Sequence, residues 1–152
     1  MNVTIIVPIK NEVKFIKNTI NSILNQNITK HNIQIIISDG MSTDGTRGIV
    51  KEFQKEHESI ILIDNVDQVV PNGFNKALNF AKGDIIIRVD GHSILNPDFV
   101  ENCVKVLMST DADCAGGPTK HISKSYMGIN IAAAQTSLFG AGGASFRTGV
   151  TV

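Results

Sequence analysis

Val3-Thr4-Ile5-Ile6-Val7 is a short apolar run near the start of a chain of 152 residues, and Pro8 follows it directly. Three later runs have the same character: Ile33–Ile37, Ile60–Ile63 and Ile85–Val89. Runs of this length that are rich in β-branched residues are typical of strands covered on both faces, as in a parallel sheet. The sequence therefore predicts four parallel strands in the interior of the protein.

Amphipathic helical patterns separate these runs. The first extends from roughly Glu12 to Asn25, the second follows Thr46, and a shorter one covers Phe74–Ala81. Asn96-Pro97-Asp98 supplies the start of a fourth, because proline suits the first turn and a carboxylate suits the positive end of a helix. The alternation predicts an α/β architecture with right-handed crossovers, in which ligands bind at the carboxyl ends of the strands.

The last third of the sequence has a different pattern. Ala112–Pro118 is interpreted as a strand that ends in a turn, and Ser125–Ser137 has the composition of a helix. Residues 139–149 are rich in glycine and are interpreted as a loop.

The composition is that of a folded protein without a general affinity for polyanions. Hydrophobic residues make up 42% of the chain and charged residues 18%, which excludes the composition of disordered chains. The net charge is +0, so nucleic acid is not an expected partner. Cys103 and Cys114 form no CxxC pair, which argues against a disulfide framework or a structural zinc site and favours a reducing compartment. We expect a soluble chain, because no apolar run approaches the roughly 18 residues that span a bilayer and the first residues do not form a signal peptide.

Three polar clusters follow predicted strands. They are Pro8-Ile-Lys-Asn11-Glu12, the stretch Ser38–Thr46, and Asp90-Gly91-His92. Since the carboxyl ends of parallel strands meet at one edge of a sheet, the acidic residues of the clusters should converge there. Such a rim suits a divalent cation or several hydroxyl and imide hydrogen bonds.

Each cluster also has a purely structural interpretation. Asn11-Glu12 could begin a helix, Asp39-Gly40 and Asp44-Gly45 could form turns, and Asp90–His92 could be a surface turn. Asp111-Ala112-Asp113 precedes a predicted strand where the other acidic clusters follow one, and it is interpreted as a solvated turn.

Taken together, the clusters resemble the motifs of family 2 glycosyltransferases of the GT-A fold. Pro8-x-x-Asn11-Glu12 resembles the opening motif, the stretch 39–46 resembles the nucleotide-side loop, and Asp90-Gly91-His92 stands at the metal-binding DxD. Further stretches resemble the branch that includes succinoglycan-type glucosyltransferases, so the resemblance covers nearly the whole chain. These stretches are Asp64-Asn65, Pro71-x-Gly73-x-Asn75-x-Ala77, Lys82-Gly83-Asp84, Arg88-Val-Asp90-Gly-His92, Asn96-Pro97-Asp98 and Gly140-x-Gly142-Gly143-x-x-Phe146-Arg147.

The resemblance implies a Rossmann-like GT-A fold: an α/β protein with a mostly parallel sheet, helices on both faces, and a truncation on the C-terminal side. It also implies a single nucleotide-sugar-binding domain over residues 1–152. Residues 1–110 would be its nucleotide-binding βα units, and residues 111–152 would begin an acceptor-side region that is incomplete.

The resemblance also implies roles for individual residues. Pro8 and Glu12 would line the uracil and ribose side of the pocket, and Asp39 would hydrogen-bond the base or the ribose. Arg88 precedes Asp90 by two residues and should share its face of the strand, with either a carboxylate or the donor phosphates as its partner. The full donor-binding set is Pro8, Asn11, Glu12, Asp39, Ser42, Asp44, Arg88 and Asp90.

Asp90 and His92 would hold a divalent metal, Mn²⁺ or Mg²⁺. His92 stands where a second aspartate is usual, and because imidazole suits Mn²⁺ better than the hard Mg²⁺, this difference favours manganese. In an alternative arrangement only Asp90 contacts the metal and His92 hydrogen-bonds a phosphate oxygen.

The implied function is the transfer, with inversion, of a sugar from a nucleoside-diphosphate sugar to a saccharide or lipid-linked acceptor in polysaccharide synthesis. A UDP-sugar is the preferred donor, and a GDP-sugar remains open. In the family, the general base lies downstream of the glycine-rich loop, so the catalytic residue is unassigned and we expect the chain to be inactive alone. The alternative is a non-catalytic nucleotide-binding or scaffold module.

Two expectations concern the surroundings of the protein. We expect a cytoplasmic location, at the cytoplasmic face of the membrane in a full-length protein through segments absent from this chain. Ile129, Ile131, Leu138 and Phe139 would lack apolar cover, which suggests a homo-oligomer as a hypothesis.

Overall fold

The computed structural model describes residues 1–28, 31–123, 125–137 and 140. By their internal contacts the residues divide into two compact units, Met1–Glu101 and Asn102–Val152. The division of the chain into a nucleotide-binding part and an acceptor-side part stays a prediction. Within the described ranges, no helix is long and apolar enough to cross a membrane.

The first unit is built on a parallel sheet of four strands. The strands are β1 (Asn2–Ile9), β2 (Asn32–Asp39), β3 (Ile60–Asp64) and β4 (Ile85–Arg88), in the spatial order β3-β2-β1-β4. All three pairings are parallel, as the apolar runs predicted. The order places β1 in the interior of the sheet, where it is paired along both edges.

The first three helices connect successive strands, and the others follow β4. The helices are α1 (Ile16–Leu24), α2 (Thr46–Glu56), α3 (Val70–Leu78), α4 (Phe99–Ser109) and α5 (Tyr126–Thr136). The first begins four residues later than the sequence pattern predicted, because the Glu12 carbonyl accepts hydrogen bonds from both Phe15 and Ile16 in a tight turn. Ser125 caps α5 by accepting a hydrogen bond from Gly128, and the predicted helix is confirmed there.

Both faces of the sheet are covered. On one face, Ile6, Ile36 and Ile63 pack with Ala77 of α3. The residues that alternate with them, such as Ile5 and Val7, are equally buried, and so are the apolar residues that α1 and α2 direct inward: Ile16, Ile20, Ile23 and Val50. Because successive side chains of a strand point to opposite faces, burial of both sets requires helices on both sides.

Two predictions from the sequence were wrong. The run Ile85–Val89 was expected to be covered on both faces, but β4 lies at an edge of the described sheet and exposes Ile86 and Arg88. Ala112–Pro118 was expected to be a strand, and it has no regular secondary structure. Its residues up to Cys114 are exposed, so the segment has no apolar face to bury, and Gly116-Gly117-Pro118 cannot supply one.

In the second unit, apolar side chains of α5 are exposed. Ile129 and Ile131 expose about half of their surface, as expected, and none of the residues of α5 is buried. Leu138, Phe139 and the glycine-rich stretch 141–149 lie outside the described residues, so their predicted roles stay predictions.

Candidate functional site

The polar clusters meet at the carboxyl edge of the sheet. In the strand register, Ile9 of β1 pairs with Asp39 of β2, and Asp39 pairs with Asp64 of β3. Asp90 follows Arg88, the last residue of β4, which pairs with Ile6 on the other side of β1. Since neighbouring strands lie about 4.8 Å apart, the backbones at positions 39 and 90 flank β1 at a separation on the order of 10 Å.

Asp39 is completely enclosed by protein. Its side chain has no exposed surface, and its carboxylate accepts three hydrogen bonds. Oδ2 accepts from the backbone N–H of Ser42 at 3.0 Å and from Nη1 of Arg47 at 2.7 Å, while Oδ1 accepts from the Ser42 hydroxyl. Every donor to this buried charge is therefore supplied by the loop after β2 and the first turn of α2.

Arg47 joins the ends of two strands and was not identified from the sequence. Its Nη2 donates to Oδ1 of Asp64, also at 2.7 Å, so one guanidinium spans Asp39 and Asp64. The hydrogen bonds that Arg47 donates, first to Asp39 and then to Asp64, raise the pKa of Arg47 above its ordinary value, which keeps the group charged. Its position was a signal in the sequence, since a cation in the first turn of a helix opposes the helix dipole and needs a compensating anion.

Asn11 and Ser42 fasten the loops after β1 and β2 to each other. The backbone N–H of Asn11 donates to the Ser42 hydroxyl at 2.8 Å, and Oδ1 of Asn11 accepts from the backbone N–H of Thr43 at 2.9 Å. The same Ser42 hydroxyl donates to Asp39. These two predicted site residues therefore shape the rim through contacts within the protein.

Asp44 ties the loop after β1 to the start of α2. Its Oδ1 accepts from both the hydroxyl and the backbone N–H of Thr46, and its Oδ2 accepts from the backbone N–H of Val13 at 3.1 Å. The hydrogen bond from the Thr46 hydroxyl is the main cause that lowers the pKa of Asp44 below its ordinary value. The Thr46 hydroxyl also accepts a hydrogen bond from the backbone N–H of Glu12 at 2.9 Å. Both oxygens of Asp44 therefore hold the loop after β1 to the start of α2, Oδ2 directly through Val13 and Oδ1 through Thr46.

Backbone strain is concentrated at the same rim. Among the described residues, those other than glycine with positive φ are Asn11 (56°), Met41 (58°) and Gln68 (59°), one in each loop that follows β1, β2 and β3. This left-handed conformation is costly for residues other than glycine, and residues held in it cluster at functional sites. The loops after β1 and β3 are also linked directly, because Nζ of Lys10 donates to the side-chain oxygen of Gln68 at 2.9 Å.

Asp90 and His92 lie beside the β1 loop. Arg88 donates to Asp90 at 3.0 Å, so the two side chains do share a face, and both are about half exposed. Nδ1 of His92 lies 3.0 Å from Oε1 of Glu12, which brings the first and third clusters into contact. Gly91 permits this approach, since a Cβ at that position would lie 2.7 Å from Ile9 and 3.1 Å from Cγ of Glu12.

These contacts partly separate the predicted site residues. Arg88, Asp90 and His92 are at least half exposed beside β4, and the less exposed Glu12 contacts His92. By contrast, Asp39 is enclosed next to Arg47, and Pro8 is buried in β1 opposite Ser38. Where side chains are described, no three His, Cys, Asp or Glu residues are grouped as ligands of a metal ion. The exposed Asp90 and His92 still suit a metal whose remaining ligands come from phosphates and water, which is how Mg²⁺ commonly binds.

One described cavity lies at the opposite end of the strands. It has a volume of about 350 Å³, and its lining includes Asn2, Asn32, Gln34 and Lys82. None of the motif residues after β1, β2 or β4 lines it, so it is separate from the rim.

Comparison with known proteins identifies the family and the fold of the chain. Residues 4–134 match the family described as Glycosyl transferase family 2. The succinoglycan biosynthesis protein ExoA of Rhizobium meliloti is 32% identical over 147 residues, which are 95% of this chain and 44% of that protein. A dolichyl N-acetyl-alpha-D-glucosaminyl phosphate 3-beta-D-2,3-diacetamido-2,3-dideoxy-beta-D-glucuronosyltransferase of Methanococcus voltae is 35% identical over 105 residues, which are 68% of this chain and 33% of that protein.

Solved structures show the same fold. S. aureus TarS 1-349 in complex with UDP superimposes with a TM-score of 0.64 at 20% identity, covering 82% of this chain and 40% of that one. The mannosyltransferase PcManGT from Pyrobaculum calidifontis, in complex with GDP-Man and Mn²⁺, gives a TM-score of 0.65 at 26% identity, covering 85% and 37%. The GT-A fold implied by the sequence is confirmed, and the chain spans less than half the length of these relatives. With the ordered motifs, the sheet order and the match over residues 4–134 in agreement, the chain belongs to family 2 of the glycosyltransferases.

Proposed function

We propose that this chain binds the nucleoside-diphosphate-sugar donor of a glycosyltransferase that acts in polysaccharide synthesis. The observation that carries the proposal is the contact of Glu12 with His92, which joins the loop after β1 to the segment after β4 at the rim. A nucleoside diphosphate that binds across this edge needs polar groups from separate strands, because its base and its phosphates lie at different strand ends. The contact between Glu12 and His92 brings two such groups together. The names of the relatives, which include succinoglycan biosynthesis and a poly(ribitol-phosphate) beta-glucosyltransferase, support the proposed pathway class.

The donor would lie along the rim from the β2–β3 side to the β4 side. Its base and ribose would lie near Pro8, Glu12 and Asp39, with the loops held in place by Asn11, Ser42 and Asp44. Its diphosphate would face Arg88 and Asp90. The Arg88 guanidinium is half exposed and pairs with Asp90 alone among the described side chains, so it can also donate to a phosphate oxygen.

Asp90 and His92 would hold a divalent metal, with Mn²⁺ favoured over Mg²⁺. Such an ion would neutralise charge on the departing diphosphate, a contribution of several kcal/mol in related reactions. Glu12 would act as the residue that orients His92, because a ligating histidine commonly has its second ring nitrogen hydrogen-bonded to a carboxylate. With Nδ1 on Glu12, Nε2 of His92 would be available to either the metal or a phosphate oxygen, the two roles left open by the sequence.

UDP and GDP are both candidate nucleotides. The solved relatives bind UDP, UDP-GlcNAc or GDP-Man, and the resemblance of the motifs favours UDP. The acceptor would be a saccharide or a lipid-linked saccharide, reached with inversion at the sugar carbon, in the cytoplasm. We assign the general base to none of the described residues, so residues 1–152 alone should bind donor without sustained transfer.

Calorimetric titration tests this proposal. UDP and GDP are each titrated with and without Mn²⁺ into the chain and into its Asp90→Ala variant. Binding of at least one nucleotide that requires Mn²⁺ and is lost in Asp90→Ala is the expected result. If neither nucleotide binds, the chain is a scaffold module instead, and sustained sugar transfer by residues 1–152 would contradict the assignment of the base.

A further inference from the structure

At the end of β2, the rim presents the guanidinium of Arg47 and not the carboxylate of Asp39. Asp39 has no exposed surface, whereas 27% of the Arg47 side chain is exposed directly beside it. A ligand that approaches the end of β2 therefore meets Arg47 before Asp39, with the half-exposed Asp64 on the far side of the guanidinium. The Asp39 carboxylate can be reached only after the groups that enclose it have moved.

The donors of Arg47 are only partly used. A guanidinium has five N–H donors, and its contacts with Asp39 and Asp64 occupy one on Nη1 and one on Nη2. The remaining donors make no hydrogen bond to any residue in the described part of the chain. Because the planar group is fixed at both ends by 2.7 Å bonds, these donors are held in a defined direction.

The local charge favours a neutral ligand edge over a phosphate. One cation stands between two carboxylates, so the group Asp39, Arg47 and Asp64 carries a net charge of −1. A phosphate would be repelled by this sum, while a carbonyl oxygen accepts from the free N–H groups without a charge penalty. On the side of β4, by contrast, Arg88 is paired with Asp90 alone among the described carboxylates.

We propose that Arg47 is a specificity-determining residue that reads the nucleobase of the donor through a carbonyl oxygen. The proposal rests on the proposed function and narrows its substrate class. Uracil and guanine carry an exocyclic oxygen, O4 or O6, at the place where cytosine and adenine carry an amino group. A guanidinium donates to the oxygen and opposes the amino group, so donors based on UDP or GDP are accepted and those based on CDP or ADP are rejected.

The test compares matched nucleotides by calorimetry in the presence of Mn²⁺. UDP is compared with CDP, GDP with ADP, and inorganic pyrophosphate reports binding without a base. The unmodified chain should bind the oxo member of at least one pair about 10- to 100-fold more tightly than the amino member, the range expected for a hydrogen bond to a charged donor. Arg47→Met should reduce that ratio to within about twofold and leave pyrophosphate binding unchanged.

Lys51→Met is the matched control. Lys51 is exposed one turn further along α2, so this variant removes the same charge from the same helix without touching Asp39 or Asp64, and it should keep the ratio. If Arg47→Met does not fold, the same binding ratio is measured in Arg47→Lys. An ammonium group cannot hydrogen-bond both carboxylates and also donate to the base in a fixed direction. That variant should lower the ratio by roughly tenfold.

Three results would overturn the inference: no discrimination in the unmodified chain, an unchanged ratio in the folded Arg47 variants, or equal losses of UDP and pyrophosphate binding in Arg47→Met. Failure of the unmodified chain to bind any nucleotide would refute the proposed function itself. The two failures are therefore distinguishable.

Discussion

Asp39→Asn and Asp64→Asn should destabilise the protein by very different amounts. Both carboxylates accept a hydrogen bond of 2.7 Å from Arg47, so distance alone predicts equal effects. Their exposure differs, since the Asp39 side chain is 0% exposed and that of Asp64 is 53% exposed. Burial of the carboxylate, and not the length of its hydrogen bond to Arg47, should therefore determine how much stability each substitution removes.

The magnitude follows from the contacts. All three partners of Asp39 are donors, and an asparagine offers them one acceptor oxygen and one NH₂ group that would oppose a donor. Loss of a hydrogen bond to a charged group costs about 1.5–3 kcal/mol, and an unsatisfied buried donor costs about 1–3 kcal/mol. The sum, about 2.5–6 kcal/mol, brackets the usual cost of breaking a buried ion pair by removing one partner, about 3–5 kcal/mol, which we take as the expected loss for Asp39→Asn. For the exposed pair with Asp64, about 0.2–1 kcal/mol is expected.

Urea unfolding followed by far-ultraviolet circular dichroism measures the difference. Circular dichroism is the appropriate probe because the chain has no tryptophan and a single tyrosine, which lies in α5. With a urea dependence of about 2 kcal/mol per molar, the midpoint should fall by about 1.5–2.5 M for Asp39→Asn and by less than about 0.5 M for Asp64→Asn. Asp111→Asn, in an exposed segment, sets the background for this substitution. Equal midpoints for the Asp39 and Asp64 variants would refute the argument from burial.

Three further predictions concern other parts of the chain. The pKa of Asp44 is lowered from its ordinary value of 3.8, chiefly by the Thr46 hydroxyl, so its contribution to stability is present above the unfolded value and disappears as pH falls through the folded value. The melting temperature of the unmodified chain should exceed that of Asp44→Asn at pH 7, and this difference should disappear below pH 3.8. A difference in melting temperature that stays constant down to pH 2 would show that the ionised Asp44 carboxylate is not its cause. Gly83→Ala should lower the stability by about 1–3 kcal/mol or more in the same urea assay, because its Cβ would press on the main chain of β1, whereas Gly48→Ala, which meets nothing within 4 Å, should not. Burial, followed by the charge of Cys114, raises the pKa of Cys103, so a thiol reagent at pH 8 should modify the exposed Cys114 first, and preferential modification of Cys103 would argue against this.

The sequence was sufficient to predict those elements that depend on a local pattern of residues. Four β-branched runs predicted four parallel strands, and the polar clusters at their ends predicted one rim, because strand polarity alone brings those ends together. The period of two also placed Arg88 on the face of Asp90, where the ion pair is found. Order and spacing of the clusters were enough to indicate the family.

The sequence was insufficient where partners are chosen by packing. An aspartate before a glycine gives no indication of whether its carboxylate faces solvent or is enclosed, and Asp39 is enclosed because Arg47 and Ser42 close over it. Positive φ at Met41 and Gln68 also has no local signal, since neither residue type favours the left-handed region. The position of β4 at an edge depends on the order of the strands, which the pattern of a single strand does not carry.

The interior position of β1 has a consequence for synthesis of the chain. Of the four described strands this one is synthesised earliest, yet one of its two edges is completed only by β4, residues Ile85–Arg88. At about 5–20 residues per second, the roughly 80 residues between them take on the order of 4–16 s to appear. Throughout that interval an apolar strand presents open backbone groups to other nascent chains. Protection by chaperones is therefore most valuable before the fourth strand has been translated.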